Sequence, residues 1–195
     1  PEMKELIELI GDYESELTDQ LNVSVKEIVG KIREFVSEGD ETLLSGLLPM
    51  IESDVISADT LASRVTIVST LFLNRALEQL VPLMLDKIDA ESSFNRLSQR
   101  TLTWIDNWSE ELGTLMKNTN SRAVSDALKK GLENGEGIET IIRRLEEMPE
   151  FDRNRARATA VTEILTANSV SQQEAYSQSP VVTGKTWRHS GSKEV

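Results

Sequence analysis

Basic and acidic side chains concentrate between residues 143 and 163, at spacings that suit phosphate binding or ion pairing. Five arginines fall in this stretch: Arg143, Arg144, Arg153, Arg155 and Arg157. Arg153 and Arg157 are four residues apart, so on a helix they share one face. Neighbouring carboxylates dilute this cluster and no aromatic side chains alternate with it, which argues against DNA contact. We therefore favour ion pairs between helices. We expect Glu163 to pair with an arginine of a neighbouring segment and to anchor its helix against residues 120–148.

Enzyme chemistry has little support in the residue types present. The chain has one histidine, His189, and no cysteine, so nucleophilic catalysis and zinc binding lack their usual groups. The adjacent glutamates at 110–111 and 146–147 point in different directions on a helix, as solvated residues do. The loop Gly131–Gly137 lacks the Gly-Lys-Ser/Thr ending of a phosphate-binding loop. We therefore expect that the protein is not an enzyme. We also expect that it has no catalytic, cofactor-binding or metal-binding residue and needs no cofactor.

The net charge of −12 lies entirely in the first part of the chain. Residues 1–119 hold 10 Lys and Arg against 22 Asp and Glu, whereas residues 120–195 hold 11 of each. An acidic surface repels phosphate backbones, so direct DNA binding by the first part is not expected. It is compatible with a solvated helix surface or with docking on a basic protein. The longest apolar stretch, residues 65–73, is too short to span a bilayer, and no membrane is expected as a partner.

Apolar residues recur every three or four positions through most of the chain, which predicts a mostly α protein. The first pattern covers residues 6–35 with a possible break at 22–24, and ends at Gly39 and Asp40. Further helices are predicted at 42–51, at 57–80, at 83–88 and at 94–116. The run Val65–Thr70 would also suit a strand, but its helix-forming flanks favour a helix. Pro82 predicts a kink or a boundary. We expect Trp104 and Trp108, four residues apart, to pack in the core.

The pattern changes after residues 117–120. A short helix is predicted near 124–132, then a loop with two glycines at 134–137 and a second short helix near 138–145. Asp152 is a suitable cap for a third helix over residues 153–177. Residues 181–187, with little helix propensity, predict a β-strand. The fold class is therefore mostly α: a multi-helix N-terminal part is followed by a helix-loop-helix-helix-strand module with one minor β element.

The predicted third helix carries a recognisable motif. Its residues are Arg155-Ala156-Arg157-Ala158-Thr159-Ala160-Val161-Thr162-Glu163, followed by Ala167-Asn168. Together with the glycine loop upstream and Lys185-Thr186-Trp187 downstream, this order of elements resembles the minor head, or head-morphogenesis, protein family typified by the F protein of phage Mu. Thr159 stands where that family usually has Ile, and Val161 stands where it usually has a second Arg. The resemblance covers about residues 100–195.

The resemblance implies a minor capsid protein of a phage or prophage. Such a protein associates with the portal and other capsid components and acts in head assembly or DNA delivery. It would reside in the virion interior, and in the host cytoplasm during assembly, with packaged DNA left open as a further partner of the full-length protein. The motif implies structural roles for a set of residues: Arg155, Ala156, Ala160, Thr162, Glu163, Asn168 and Trp187.

Two regions follow from these patterns, an acidic helical region at 1–117 and a head-morphogenesis-like module at 118–195. Because the family pattern normally continues with an Arg-x-x-His element after the Trp, we expect the module to be truncated at its C-terminus. The alternative is an N-terminal module of a larger phage-encoded enzyme or toxin, such as an ADP-ribosyltransferase fusion. The apolar face of residues 1–40 has two interpretations, docking on a partner or packing on its own chain.

Overall fold

Five α-helices account for most of the residues that the structure describes. The computed structural model describes residues 2–38, 60–184 and 186. In chain order the helices are α1 (Glu2–Glu38), α2 (Leu61–Ile88), α3 (Gln99–Glu133), α4 (Ile138–Glu146) and α5 (Arg153–Gln178), with a short 3-10 helix at Pro149–Phe151 before α5. The mostly α prediction is confirmed. The prediction of a helix rather than a strand at residues 57–80 is also confirmed for its described part, because α2 contains Val65–Thr70.

The central element is α2, which packs against α1, α3 and α5. Helix α1 also packs against α5, so these helices close around a shared interior. Helices α1 and α2 run antiparallel: Arg75 pairs with Asp12 and Arg64 pairs with Glu27, each at 3.0 Å. Between these pairs the buried Tyr13 hydroxyl donates to Ser69 Oγ at 2.7 Å.

Two apolar clusters form the core. The first joins the N-terminal half of α1 to α2, α3 and α5, and it contains Leu9, Leu17, Leu73, Leu77 and Ile164. The second joins the C-terminal half of α1 to the end of α3 and to α4, and it contains Ile28, Ile32, Leu128, Ile141 and Phe151. Helix α1 therefore contributes to both clusters. The apolar face of the described residues 2–38 packs on its own chain, which favours the second interpretation of this segment.

Several sequence predictions are corrected. The predicted strand at 181–187 is wrong for its described part, because residues 181–184 and 186 form a turn and irregular backbone. After Pro180 this stretch has no neighbouring strand to pair with among the described residues, and β propensity alone does not make a ladder. The separate short helix at 124–132 is instead the last part of α3. Helix α1 is unbroken at 22–24, and α2 continues past Pro82 to Ile88.

Some predictions fall outside the described residues or stay untested. The short helix predicted at 42–51, the helix end at Gly39 and Asp40, and the position of Trp187 lie outside the described residues. The division of the chain at 117/118 stays a prediction, and α3 crosses it without a break.

The turn between α3 and α4 follows a known helix-ending geometry. Gly135 has a φ of 65°, a conformation that favours glycine. Its N–H donates to the Leu132 carbonyl at 3.1 Å, and the Glu136 N–H donates to the Gly131 carbonyl at 2.9 Å. These two bonds form a Schellman motif. The predicted glycine loop at 134–137 is therefore confirmed, and Gly135 is the residue that it requires.

Gly113 allows α3 to approach α2 closely. A Cβ at this position would lie 2.4 Å from the Ala62 carbonyl oxygen and 2.5 Å from Thr66 Oγ1. The first of these is backbone, so it can move only if the helices separate. No comparable contact surrounds Gly11, where nothing lies within 4 Å of the added Cβ.

We expect Gly113→Ala to destabilise the protein by about 1–3 kcal/mol, because overpacking outweighs the gain in helix propensity. Gly11→Ala is the matched control, and it should stabilise by up to about 1 kcal/mol, because α1 gains propensity there without a clash. Urea denaturation of both variants measures the difference. Equal stabilisation by the two substitutions would show that α2 and α3 do not approach closely at Gly113.

Candidate functional site

Helix α5 carries the motif on which the family resemblance rests. It begins at Arg153 and ends at Gln178, close to the predicted 153–177. Asp152 stands at the N-cap position as predicted, but its carboxylate makes no capping bond to the backbone. It accepts instead from Asn154 Nδ2 at 2.7 Å. The position of the cap was therefore predictable from sequence, and its hydrogen bond was not.

The small residues of the motif face the interior. Ala156 and Ala160 are completely buried in the first core cluster, as is Ala167 about two to three turns further on. Side chains of this size let α5 lie close to α1 and α2, which are its main packing partners. Thr162 differs, because it is exposed and its hydroxyl donates to the Ala158 carbonyl of its own helix at 2.9 Å.

Arg155 connects the start of α5 to α3. Its Nη1 donates to Asn120 Oδ1, and also to the Glu150 carbonyl oxygen at 2.8 Å. Asn120 itself is fully buried. Burial lowers the pKa of Arg155, and the nearby Glu150 charge opposes that effect. The guanidinium thus joins α3, α5 and the 3-10 helix between α4 and α5.

Glu163 is buried and accepts a hydrogen bond from Trp108 Nε1 on α3. The predicted arginine partner is therefore wrong, and so is the predicted contact with residues 120–148. An indole N–H satisfies the carboxylate instead, in the first third of α3. Trp108 and Trp104 are partly buried against the first core cluster, in agreement with the predicted packing role. Burial raises the pKa of Glu163, and the Trp108 hydrogen bond offsets part of that rise.

We expect Glu163→Ala to lower the free energy of unfolding by about 1–3 kcal/mol, because Trp108 Nε1 loses its acceptor. Glu163→Gln keeps an acceptor oxygen and should be at least as stable as the wild type at pH 7. Since the pKa is raised on folding, the wild-type carboxyl contributes most to stability at low pH. That contribution falls as pH rises from the unfolded pKa to the folded pKa. Thermal melts from pH 4 to 8 should show this decline in the wild type and lose it in Glu163→Gln. An unchanged stability in Glu163→Ala would place Glu163 in solvent.

Glu174 is a buried carboxylate at the N-terminus of α3. Its oxygens accept from the Ser98 N–H at 2.6 Å, Ser98 Oγ at 2.8 Å, Thr101 Oγ1 at 2.6 Å and Gln178 Nε2 at 2.7 Å. Ser98 is the N-cap residue of α3. A carboxylate is stabilised there by free N–H groups and by the helix dipole. Burial raises the pKa of Glu174, but these hydrogen bonds outweigh it and hold the pKa below its ordinary value.

The contacts of Arg155, Glu163 and Glu174 form one ladder of polar side chains between α5 and α3. Their partners on α3 follow in the reverse order: Asn120, then Trp108, then Thr101 with Ser98. On α5 the ladder spans nineteen positions, from Arg155 to Glu174. On α3 it also spans nineteen positions, from Asn120 to Thr101, and each span is about 28 Å long. The two helices are therefore antiparallel and joined along their length by long polar side chains.

Asn168 is the remaining described motif residue. Its Oδ1 is buried and accepts no hydrogen bond within the described part of the chain. The position of Trp187 lies outside that part. The structure thus places Arg155, Ala156, Ala160 and Glu163 in packing contacts, leaves Thr162 at the surface, and gives no partner for the Asn168 oxygen. The structural roles assigned to these residues remain proposals.

The exposed arginines of α5 hold a third buried carboxylate, Glu14 of α1. Arg153 Nε lies 2.6 Å from Glu14 Oε1, and Arg157 Nη1 lies 3.5 Å from Oε2. The Glu14 side chain is 6% exposed, whereas the arginine side chains are 74% and 66% exposed. The predicted sharing of one face by Arg153 and Arg157 is confirmed by this common partner. The ion pair fixes α1 against the first two turns of α5.

Most of the arginine cluster is therefore engaged within the molecule. Arg144 donates to both oxygens of Glu136, at 2.7 and 2.5 Å, and this bond holds the pKa of Glu136 below its ordinary value. Together with the partners of Arg153, Arg155 and Arg157, these contacts support ion pairing over phosphate binding.

Two of these residues, Glu14 and Glu174, were not recognised in the sequence. A signal was present for each. Glu14 lies on the apolar stripe of α1, four residues after Ile10 and seven before Leu21. Glu174 lies eleven residues after Glu163, and that spacing puts both on one helix face. A carboxylate on a predicted core face calls for a partner.

No group of metal-ligating side chains large enough to hold an ion occurs among residues 2–38, 60–184 and 186. Within the same ranges, no helix is long and apolar enough to cross a membrane.

The described residues are mostly helical, and the motif of α5 is used mainly for packing against the other helices. Residues 122–195 match the family described as Phage Mu protein F like protein. Residues 122–195 are therefore similar to the phage Mu protein F-like family. The resemblance inferred from the motif is confirmed.

A longer relative covers the N-terminal helices as well. The chain is 37% identical over 185 residues to the uncharacterized protein YqbB of Bacillus subtilis (strain 168). The match includes 95% of this chain and 61% of that protein, so the chain spans about three fifths of the relative's length. No solved structure matches the chain.

Proposed function

We propose that the protein is a minor capsid component of a phage or prophage head, associated with the portal and acting in head assembly or DNA delivery. The observation that carries this proposal is the family match over residues 122–195. That segment includes the last part of α3, all of α4 and all of α5. In the proposed setting the protein acts in the virion interior, after assembly in the host cytoplasm.

The packing of the motif helix supports a structural role. Arg155, Glu163 and Glu174 hold α5 to α3, while Arg153 and Arg157 hold it to α1. A helix fixed on two sides presents a defined surface to partners. Rigid surfaces suit assembly, because less conformational freedom is lost on binding.

Co-purification with the portal tests the proposal. The chain and the portal protein of the same phage are expressed together, and the portal is captured through a tag at about 150 mM salt. We expect the chain to be retained with the portal and absent when the portal is omitted. As a control for non-specific attraction, an unrelated acidic protein of similar charge is expressed with the portal in place of the chain, and the portal is captured in the same way. Recovery of both acidic proteins at the same level, or of neither, would contradict portal association.

A further inference from the structure

Two stripes of side chains lie beside each other on the outer surface where α1 meets α2. On α2, one helix face carries Arg64, Ile67, Leu71 and Arg75, at the spacing i, i+3, i+7, i+11. On α1, one face carries Asp12, Glu16, Asp19, Val23 and Glu27. Ion pairs join the stripes at both ends, Arg75 with Asp12 and Arg64 with Glu27. We call the area framed by these two pairs the α1–α2 surface.

Exposed apolar side chains occupy the middle of the α1–α2 surface. Ile67 is 68% exposed and Leu71 is 62% exposed, one turn apart on α2, and Val23 is 40% exposed on α1. Single exposed apolar residues are ordinary on protein surfaces. Here three of them lie inside one frame of ion pairs, and the frame runs from Arg64 to Arg75, about three helical turns or roughly 16 Å. That length suits a short helix laid along the two helices.

The charge of the α1–α2 surface defines the chemistry of its partner. Four carboxylates belong to the two stripes, against two arginines, and exposed Lys26 lies beside Val23 on α1. Asp19 is exposed and has no ion-pair partner in the described part of the chain, and Glu16 accepts only from Gln20 of its own helix, at 2.8 Å. Exposed Glu8 and Glu78 extend the acidic rim beyond the frame. Because Asp19 and Glu16 lack cationic partners, this surface favours a partner that brings cations.

We propose that the α1–α2 surface docks a basic amphipathic helix of a protein partner. Its apolar side chains cover Ile67, Leu71 and Val23, and its Lys or Arg side chains face Asp19 and Glu16. This is helix-in-groove recognition, in which apolar anchors supply affinity and complementary charge supplies orientation and speed of association. The inference deepens the proposed function. It rests on that function only for the identity of the partner, which is the portal.

The chain offers a matched control for this surface. Ile67→Ser/Leu71→Ser removes the apolar patch and leaves every charge in place. Met3→Ser/Ile7→Ser makes the same kind of change at the other end of α1, where the two side chains are also four residues apart and are 70% and 63% exposed. Asp19→Lys tests the acidic rim. Asp106→Lys on α3, also exposed, changes the net charge equally. Thermal melts of all four variants confirm that they fold.

The first measurement is affinity for the purified portal protein by biolayer interferometry. We expect Ile67→Ser/Leu71→Ser to weaken binding at least tenfold and Asp19→Lys at least threefold. Met3→Ser/Ile7→Ser and Asp106→Lys should stay within twofold of the wild type. Binding should weaken as salt rises from 50 to 300 mM, because screening shortens the reach of the charges. Wild-type binding that Ile67→Ser/Leu71→Ser leaves unchanged would overturn the inference while the proposed function stands.

A second measurement does not depend on the portal. Two labelled eighteen-residue helical peptides share one leucine face, and carry either lysine or glutamate on the other face. In fluorescence anisotropy we expect only the lysine peptide to bind, and Ile67→Ser/Leu71→Ser, but not Met3→Ser/Ile7→Ser, to weaken it. If the wild type does not bind the portal, the proposed function fails. The peptide result then shows by itself whether the α1–α2 surface binds a basic helix. Equal binding of the lysine peptide to both double variants would overturn the inference.

Other occupants give different results. A second copy of the chain on this surface would produce a wild-type dimer in light scattering that Ile67→Ser/Leu71→Ser converts to a monomer. If part of residues 39–59 of the same chain covered this surface, Ile67→Ser/Leu71→Ser would be less stable than the wild type, and its affinity for the portal and the peptide would be unchanged. Either outcome would overturn the assignment of the surface to a basic partner helix.

Discussion

Replacing both Arg153 and Arg157 by alanine is expected to destabilise the protein by about 2–3 kcal/mol. The two guanidinium groups are the cations that neutralise Glu14, whose side chain is almost completely enclosed between α1 and α5. A buried carboxylate left without a partner costs about 3–5 kcal/mol in fully enclosed pairs. We reduce that figure because the arginines themselves are largely exposed and water can replace part of their contribution.

Glu14→Gln is the matched control for the double alanine variant. It removes the buried charge but keeps the shape and an oxygen that accepts hydrogen bonds, and the exposed arginines return to solvent at little cost. We expect its stability to lie within about 1 kcal/mol of the wild type. Urea denaturation at pH 7 measures both variants. If the two variants lost stability equally, the ion pair itself would be the stabilising contact, and the burial of Glu14 would not be the deciding factor.

Glu174→Ala is expected to destabilise the protein by about 2–4 kcal/mol. The substitution removes an acceptor of four hydrogen bonds and leaves the Ser98 N–H and the buried Thr101 hydroxyl unsatisfied at the start of α3. Hydrogen bonds to a charged group contribute about 1.5–3 kcal/mol each, and those that share one acceptor do not add fully. Chemical denaturation gives the free energy of unfolding directly. A loss below about 0.5 kcal/mol would show that solvent satisfies these donors.

The pH dependence of Glu174 should be opposite to that of Glu163. Because folding lowers the pKa of Glu174, its contribution is present above the unfolded pKa and is lost as pH falls through the folded pKa. The destabilisation by Glu174→Gln should therefore be largest at neutral pH and shrink in acid. A penalty that stayed constant from pH 7 to pH 3 would mean that the charge of Glu174 contributes nothing.

The helices could be predicted from sequence because their apolar faces are long and regular. The 3.6-residue period of α1 and the position of Asp152 before α5 placed those elements close to their observed bounds. The strand prediction failed because β-branched composition at 181–187 specifies no pairing partner. The short helix at 124–132 was separated from α3 because polar residues at 117–120 resemble a loop, although Asn120 is buried inside the helix and accepts from Arg155.

The partners of the motif residues could not be predicted from sequence. Arg155, Glu163 and Glu174 bond to residues 35 to 76 positions away, and such contacts depend on how α2 separates and orients α3 and α5. Charge complementarity suggested an arginine for Glu163. A half-buried indole N–H takes that place, because a single neutral donor also satisfies a carboxylate whose pKa is raised by burial.

Quantitative mass spectrometry of purified heads tests the central proposal, that the protein is a component of the phage head. Heads of the phage that encodes the chain are purified by density gradient and treated with protease, so that only enclosed or firmly bound proteins survive. We expect peptides from α1 through α5 at a constant ratio to the portal protein, in heads from independent preparations. Heads that contain the portal but none of these peptides, with the chain recovered only from the soluble lysate, would contradict the proposal.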